Sequence, residues 1–216
     1  MNSFSLTHLG YLAVAAQWTV VLSLLAFIGG AVLGLALALA RVSTFAAVRH
    51  MAAAYIQVVQ GTPLLVLLIL SYFGIGIIGL DVPPLLAAAL SLTLYTGAFL
   101  GETWRGCIEA VPRTQWEASE CLGMTRWSQY VHVVLPQAAR IAIAPTVGFM
   151  VQVVKNTSLA SVIGFVELSR AGQVVNNSTF QPFTVFMVIA LMYFALCYPL
   201  SLASRYFERK LHVGRQ

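Results

Sequence analysis

The sequence predicts an all-α membrane protein, a single transmembrane domain over residues 1–216 with about five membrane-spanning helices. Of its 216 residues, 59% are apolar and 9% are charged, whereas a soluble domain carries roughly 25% charged residues. The mean hydropathy is +0.85. So few charges do not cover the surface of a soluble globular domain, which argues strongly against a soluble enzyme and for lipid as the solvent.

Long uncharged runs locate the spans, since a bilayer core of about 30 Å is crossed by about 20 helical residues. The predicted spans are residues 19–40, 62–80, 85–101, 141–164 and 183–204. The second span is expected to begin with Thr62 as the N-cap residue and Pro63 at the first helical position. Residues 1–18 and 44–60 have no firm placement, and the latter stretch either lies along the interface or extends the second span.

The basic residues predict the orientation. Threading five spans alternately puts one group of Lys and Arg residues on the same side: Arg41, Arg49, Arg105, Arg113, Arg126, Arg140, Arg205, Arg209, Lys210 and Arg215. The other side has only Arg170, and Lys155 lies within the fourth span. The positive-inside rule then puts the N-terminus outside and the C-terminus and residues 102–140 in the cytoplasm. Topology therefore explains the basic charge, and no nucleic-acid partner is expected.

The cytoplasmic segment 102–140 is predicted to form two short helices. Thr114 and Glu117 fit a capping box at the start of the first, and Gly123 supplies the residue that ends it. Thr125 is expected to cap the second helix and Pro136 to stop it. The second helix has an apolar stripe of Trp127, Tyr130, Val131 and Val134.

The turn between these helices has a small, apolar tip that we expect to be exposed. Its residues are Ala118, Ser119, Cys121, Leu122, Gly123 and Met124. Helices this short are marginal in water, so the hairpin must be held by its own membrane helices, by a partner, or by both. One reading is a loop packed on its own bundle, and the other is a knob that inserts into a groove of another protein.

Several ordered segments carry a family resemblance. Glu117-Ala118-Ser119, then Gly123, then Leu135-Pro136 resemble the EAA loop of ABC importer permeases. Further segments in the same order and spacing are similar to the polar amino acid permeases, which serve histidine, glutamine, glutamate, arginine and opine uptake: Gln60 to Leu64, Ala98 to Gly106, Gln115 to Ala118, Leu135 to Ala138 and Lys155 to Leu159. The resemblance covers roughly residues 55 to 168.

This resemblance implies a type I ABC importer permease fold in the bacterial inner membrane. It implies a multi-pass subunit that imports a polar amino acid by alternating access. The implied partners are two ATPase subunits, a second permease chain of the same or similar sequence, and an extracytoplasmic solute-binding protein. The ATPase is expected to bind ATP and Mg, and this chain no cofactor.

The chain has no ATPase motif of its own. A P-loop needs a GxxxxGK[ST] run, and the only lysines, Lys155 and Lys210, are not preceded by Gly. The chain is therefore expected not to be an enzyme, and a separate ATPase must drive active uptake. By the resemblance, the ATPase-coupling residues are Glu117, Ala118, Ser119, Cys121, Leu122, Gly123 and Met124.

A polar stripe inside the fourth span is the candidate substrate pathway. Gln152, Lys155 and Ser158 are spaced by three residues and share a helix face, and Asn156 and Thr157 extend the polarity. A lysine near mid-span costs roughly 2.5 to 3.5 kcal/mol on insertion scales, so it is expected to face a cavity or a partner. Lys155 could attract a substrate carboxylate. Alternatively, it snorkels outward or pairs permanently with a carboxylate such as Glu167.

Other residues give weaker signals. Glu102 and Arg105 lie one helical turn apart and predict an intrahelical ion pair or a gate.

Two glycine pairs, Gly30 with Gly34 and Gly97 with Gly101, permit close helix approach within the chain or across a permease dimer. Cys107, Cys121, Cys197 and the scattered histidines lack ligand spacing, so no metal site is expected.

Two other functions stay open at this stage. One is a secondary transporter or channel that uses Lys155 as a charge relay without an ATPase. The other is an ABC permease for another small solute, such as a sugar or a metal.

Overall fold

The computed structural model describes residues 4–77 and 79–212, and within them every regular element is helical. The first half contains α1 (Leu6–Arg41), α2 (Ala46–Gly61), α3 (Leu64–Ile69), a π-helical turn (Leu70–Gly74), α4 (Ile75–Ile77) and α5 (Pro84–Glu109). The second half contains α6 (Arg113–Cys121), α7 (Arg126–Gln129), a second π-helical turn (Tyr130–Val134), α8 (Leu135–Asn156), a 3-10 segment (Thr157–Ile163), α9 (Leu168–Thr179) and α10 (Pro182–His212). Ile78 in the second predicted span and Arg215 in the orientation argument lie outside the described residues.

Among the described residues, four helical stretches are long and apolar enough to cross a membrane, and a bent pair makes a fifth. The four are Leu6–Arg41, Pro84–Glu109, Arg126–Ile163 and Pro182–Lys210. They contain four of the predicted spans. α1 has 36 residues, about 54 Å at 1.5 Å per residue, so most of the unassigned N-terminal stretch simply extends the first span.

The second span is not the single helix that the sequence predicted. Ala46–Gly61 and Leu64–Ile77 meet at 101°, because Thr62 and Pro63 are extended and a residue before proline avoids the helical region. The predicted N-cap is also wrong: Thr62 ends α2, and its hydroxyl donates to the Val58 carbonyl at 2.8 Å. Residues 46–61, left open by the sequence, are the first arm of this bent pair.

The glycine pairs join α1 and α5 within the chain, side by side and parallel. A Cβ on Gly30 would lie 3.1 Å from the Gly97 nitrogen, and one on Gly34 would lie 3.1 Å from the Gly101 nitrogen. The two backbones therefore touch where these glycines face each other. Parallel helices in one chain require a return crossing, and the bent pair supplies it.

The neighbours of the bent pair confirm its direction. Ile56 packs with Ala98, whereas Leu68 packs with Ala87 and Leu92 near the start of α5. The bent pair therefore runs antiparallel to α5. We infer a broken span rather than a loop that enters and leaves on one side.

Helix α9, between the fourth and fifth spans, was missed by the sequence analysis. The Glu167 carboxylate caps it by accepting from the Arg170 amide at 2.9 Å. Its buried face includes Leu168, Ala171 and Val175, at helical spacing. That spacing was the available signal, but residues 165–182 were treated only as the connection between two predicted spans.

Candidate functional site

The hairpin of α6 and α7 begins two residues earlier than predicted. Pro112 is the N-cap residue of α6, with φ −54° and ψ 137°, and no side chain caps the helix. The predicted capping box of Thr114 and Glu117 is therefore wrong. Proline fixes φ near the value that a helix entry needs, so α6 starts directly after Pro112 and leaves the Glu117 side chain exposed.

A left-handed glycine ends α6, as the sequence predicted. Gly123 has φ +69°, its amide donates to the Glu120 carbonyl at 2.9 Å, and the Met124 amide donates to the Ser119 carbonyl at 3.2 Å. These two bonds form a Schellman motif, in which glycine avoids the penalty of a side chain in the left-handed region. The motif fixes the direction in which the tip points.

The tip presents most of the predicted coupling residues to its surroundings. Glu117, Ala118, Cys121, Leu122 and Gly123 are exposed, and Met124 is half-buried. Leu122 is 80% exposed, in the segment that is predicted to lie in the cytoplasm rather than against lipid. Ser119 departs from the prediction because it is buried. Its hydroxyl donates to the Trp116 carbonyl at 2.7 Å and so supports α6 from within.

The second half of the hairpin continues directly into the fourth span. Thr125 caps α7 by accepting from the Ser128 amide at 3.3 Å, as predicted. The prediction that Pro136 stops this helix is wrong, because the π-helical turn Tyr130–Val134 precedes it and the helix continues as α8. Proline has no N–H and disrupts a regular helix at the preceding turn, and local π adjustments re-satisfy the freed backbone groups in membrane helices.

The hairpin is also held by its own membrane helices. Val134 and Ala138 pack in one buried cluster with Ile108 and Val111 from the end of α5. The Trp116 and Tyr130 rings pack edge to face, with centroids 5.1 Å apart. In contrast, Trp127 from the predicted apolar stripe is 77% exposed. The base of the hairpin is thus fixed on the bundle while its tip is open.

The predicted pair of Glu102 and Arg105 belongs to a larger ion cluster. Arg105 Nε donates to Glu102 Oε1 at 2.9 Å, and the Arg105 guanidinium also bonds the Glu109 carboxylate. Arg41 Nε at the end of α1 lies 3.6 Å from Glu102 Oε2. The sequence analysis missed Arg41 and Glu109, although the four-residue spacing of Arg105 and Glu109 was a signal for the second.

The polar residues of the fourth span divide into exposed and buried groups. Gln152 and Lys155 are exposed, whereas Asn156 and Thr157 are buried and Ser158 is half-buried. Gln152 Nε2 donates to Asn156 Oδ1 at 3.0 Å. Asn156 Nδ2 is buried and has no hydrogen-bond partner among the described residues. The side-chain amides of Gln152 and Asn156 therefore lie in contact, and the Asn156 Nδ2 group makes no hydrogen bond to another described residue.

The two hydroxyls of this stretch bond to the backbone. Thr157 donates to the Val154 carbonyl at 2.8 Å, and Ser158 donates to the Lys155 carbonyl at 2.7 Å. Such bonds satisfy a hydroxyl inside its own helix. Of the predicted polar stripe, the Lys155 ammonium and the amides of Gln152 and Asn156 keep donors that can meet a ligand.

The alternative that Lys155 pairs with Glu167 is wrong. The Glu167 carboxylate is fully buried, with one oxygen accepting from the Arg170 amide and the other from the Tyr193 hydroxyl at 2.7 Å. Burial raises the pKa of this carboxyl above its ordinary value. Within residues 4–77 and 79–212, no carboxylate lies within 4.0 Å of the Lys155 ammonium.

Comparison with known proteins decides the family. The profile described as "Binding-protein-dependent transport system inner membrane component" matches residues 30–213. This chain is a member of that family. It is accordingly the permease component of a binding-protein-dependent ABC importer and a multi-pass protein of the inner membrane.

Curated relatives of this permease align along nearly their whole length. The probable amino-acid ABC transporter permease protein YckA of Bacillus subtilis is 32% identical, over 93% of this chain and 88% of that protein. The probable glutamine ABC transporter permease protein GlnM of the same organism is 34% identical, over 89% of each chain. The glutamine transport system permease protein GlnP of Escherichia coli is 31% identical, over 92% of this chain and 91% of that protein.

Solved structures share the fold of this permease. A crystal structure of an amino acid ABC transporter with histidines superposes with a TM-score of 0.91 at 30% identity, covering 97% of this chain and 100% of that one. An inward-facing structure of the MetNI methionine ABC transporter superposes with a TM-score of 0.80 at 19% identity, over 96% and 99% of the two chains. The second match supports the fold alone.

Proposed function

We propose that this chain is one of two membrane-spanning subunits of an ATP-driven importer of a polar amino acid. The names of its relatives favour an amino acid over a sugar or a metal, since they include amino-acid, glutamine and cystine permeases. The Lys155 ammonium, without an ion-pair partner among the described residues, is suited to the α-carboxylate that every free amino acid carries. Charge-assisted hydrogen bonds of this kind are the strong ones.

The observation that carries the proposal is the exposed tip of the α6–α7 hairpin. A leucine that is 80% exposed, on a turn fixed by a Schellman motif in the predicted cytoplasmic segment, has the form of a knob for a groove in another protein. The chain has no P-loop of its own, so the partner is an ATPase that binds ATP and Mg. The segment Glu117 to Met124 is its docking site, with the Ser119 hydroxyl supporting the helix from inside.

The helix that follows the hairpin gives a route for coupling. Arg126–Ile163 is one continuous helical stretch, with the Trp127 end beside the tip and Lys155 about 28 residues later, on the order of 42 Å away. ATP binding at the ATPase would move the tip, and this stretch would carry the motion to the polar face. Alternating access follows if that face opens to one side of the membrane at a time.

The exposure of Lys155 and Gln152 supports a second permease chain as a partner. An ammonium that faces lipid near mid-span costs roughly 2.5 to 3.5 kcal/mol, so its face must be covered by protein or must line water. A second copy of this chain, or a similar one, would enclose the two polar faces in a common path. Glu102 and Arg105 would stabilise the cytoplasmic end of that path and are its candidate gate.

The predicted orientation puts the hairpin in the cytoplasm and α9 on the outside. The basic residues near the ends of α1, α5 and α10 support it through the positive-inside rule. A solute-binding protein would then deliver the amino acid at the end of the bundle formed by α9. The complex would comprise two permease chains, two ATPases and the binding protein, with the amino acid as its substrate.

Reconstituted uptake tests the requirement for ATP. The complex that co-purifies with this chain is placed in liposomes with a radiolabelled amino acid outside and either ATP or a non-hydrolysable analogue inside. We expect accumulation only with ATP and with the matching binding protein present. Accumulation with the analogue, or by the chain stripped of partners, would contradict the proposal and favour a secondary transporter or channel.

A further inference from the structure

An apolar cleft lies between α1, α5 and α8, away from the candidate pathway. Its volume is about 560 Å³, within the range of roughly 300 to 1,000 Å³ typical of ligand sites. Small side chains create the space, among them Ala31 on α1 and Ala139 and Ala142 on α8. The cleft is open to the outside of the bundle, on three helical stretches that are long and apolar enough to cross a membrane. Trp104, Ile108 and Ala138 in its lining put it towards the predicted cytoplasmic end of those stretches.

The chemistry of the lining excludes a polar ligand. Thr146 and Trp104 supply its polar side-chain groups, and the Trp104 indole N–H donates to the Thr146 hydroxyl at 2.8 Å. These two groups therefore satisfy each other, and the remaining lining side chains are aliphatic. An occupant must be apolar, because a polar one would lose its hydrogen bonds to water without replacement.

The position of the cleft on α8 separates it from the proposed permease partner. At about 100° per residue, Lys155 lies roughly 140° around the helix axis from Ala142. A second permease chain that covers Lys155 therefore leaves the cleft facing the bilayer, a step that rests on the proposed function. Lipid is the solvent at that surface, and an empty cleft would lose the dispersion contacts of its walls.

We propose that this cleft is a binding site for one acyl chain of a membrane phospholipid. The chain lies against Trp104 and between the alanines of α1 and α8, where it fills the space that larger side chains would occupy. It thereby supports the packing of α8 beside the base of the coupling hairpin, since Ala138 belongs both to the cleft and to the cluster with Val134.

Quenching of Trp104 fluorescence by brominated lipid tests the site. The whole transporter is reconstituted in bilayers with and without phosphatidylcholine brominated along one acyl chain. Subtracting the spectra of a Trp104→Phe variant isolates the Trp104 emission from that of other tryptophans. We expect brominated lipid to remove most of this emission in the wild type.

Cleft-filling variants supply the comparison. Ala139→Phe should restore the Trp104 emission. Val32→Phe is a second filling variant if the first does not fold, since Val32 lines the cleft and is 71% exposed. Ala36→Phe is the matched control, because Ala36 is exposed on α1 and does not line the cleft. It should leave quenching unchanged.

The outcomes are separable from those of the proposed function. Absence of quenching in the wild type would overturn the lipid site, whether the cleft is empty or covered by a second copy of the chain. Quenching that persists in both filling variants would also overturn it, since lipid would then reach Trp104 elsewhere. The readout needs no transport, so an inactive complex still tests the site.

Discussion

A Gly34→Leu variant should fail to accumulate as a folded protein. A Cβ at this position would lie 3.1 Å from the Gly101 nitrogen and 3.2 Å from the Gly97 oxygen, both backbone atoms, which cannot move aside as a side-chain tip can. Overpacking typically costs about 1–3 kcal/mol and sometimes more, and parting α1 from α5 would disturb the largest helix contact of the fold. Size-exclusion chromatography of a fluorescent fusion in mild detergent measures the folded fraction.

Gly10→Leu is the matched control for this prediction. Gly10 is on the same helix, and a Cβ there meets nothing within 4 Å. It should give a wild-type elution profile with at most a small loss of thermal stability. A normal profile for Gly34→Leu would contradict the close parallel packing of α1 and α5, and with it the return crossing assigned to the bent pair.

A Lys155→Met variant should assemble normally and lose uptake by about tenfold or more, because a hydrogen bond to a charged group contributes about 1.5–3 kcal/mol. Methionine has nearly the same length but no charge, so insertion into the membrane should not suffer. Lys155→Arg should keep part of the activity, since it retains a cation on the polar face. Initial uptake rates, normalised to the amount of assembled complex, measure the effect.

Lys210→Met is the comparison for charge removal elsewhere in the chain. Lys210 is exposed near the end of α10, with its ammonium 5.7 Å from the centre of the Tyr206 ring. Uptake by this variant should match that of the wild type. Full uptake by Lys155→Met in a normally assembled complex would remove Lys155 from the substrate pathway.

The membrane spans could be predicted from the sequence because hydropathy and charge are local properties. The bend at Pro63 could be predicted only as a helix boundary. Its 101° angle depends on packing, with Ile56 against Ala98 and Leu68 against Ala87, and no local signal encodes those contacts. The prediction that Pro136 ends the helix is wrong for a related reason. The π turn that lets the helix continue has no simple sequence signature.

The candidate site shows the same division. Gly123 and Thr125 could be assigned correctly because left-handed glycines and N-caps are set by a few adjacent residues. The proposed pairing of Lys155 with Glu167 was wrong because helix α9 had not been recognised. The Glu167 carboxylate accepts hydrogen bonds from the Arg170 amide and the Tyr193 hydroxyl instead. The burial of Ser119 was missed because a small polar residue at an exposed turn gives no indication of its inward contact with Trp116.

Co-purification with the tagged chain tests whether an ATPase docks on the hairpin tip. Wild type, Gly123→Trp and Gly79→Trp are purified from native membranes in mild detergent, and bound proteins are identified by mass spectrometry. Gly79 is the matched control, because it too has a positive φ, +82°, and open space around it, but it lies in the turn before α5 rather than in the hairpin. We expect an ATPase with the wild type and with Gly79→Trp, and its loss from a correctly inserted Gly123→Trp. Retention by Gly123→Trp would contradict docking at the hairpin tip. Absence from the wild type, under conditions that preserve a control transporter complex, would contradict the coupling to an ATPase itself.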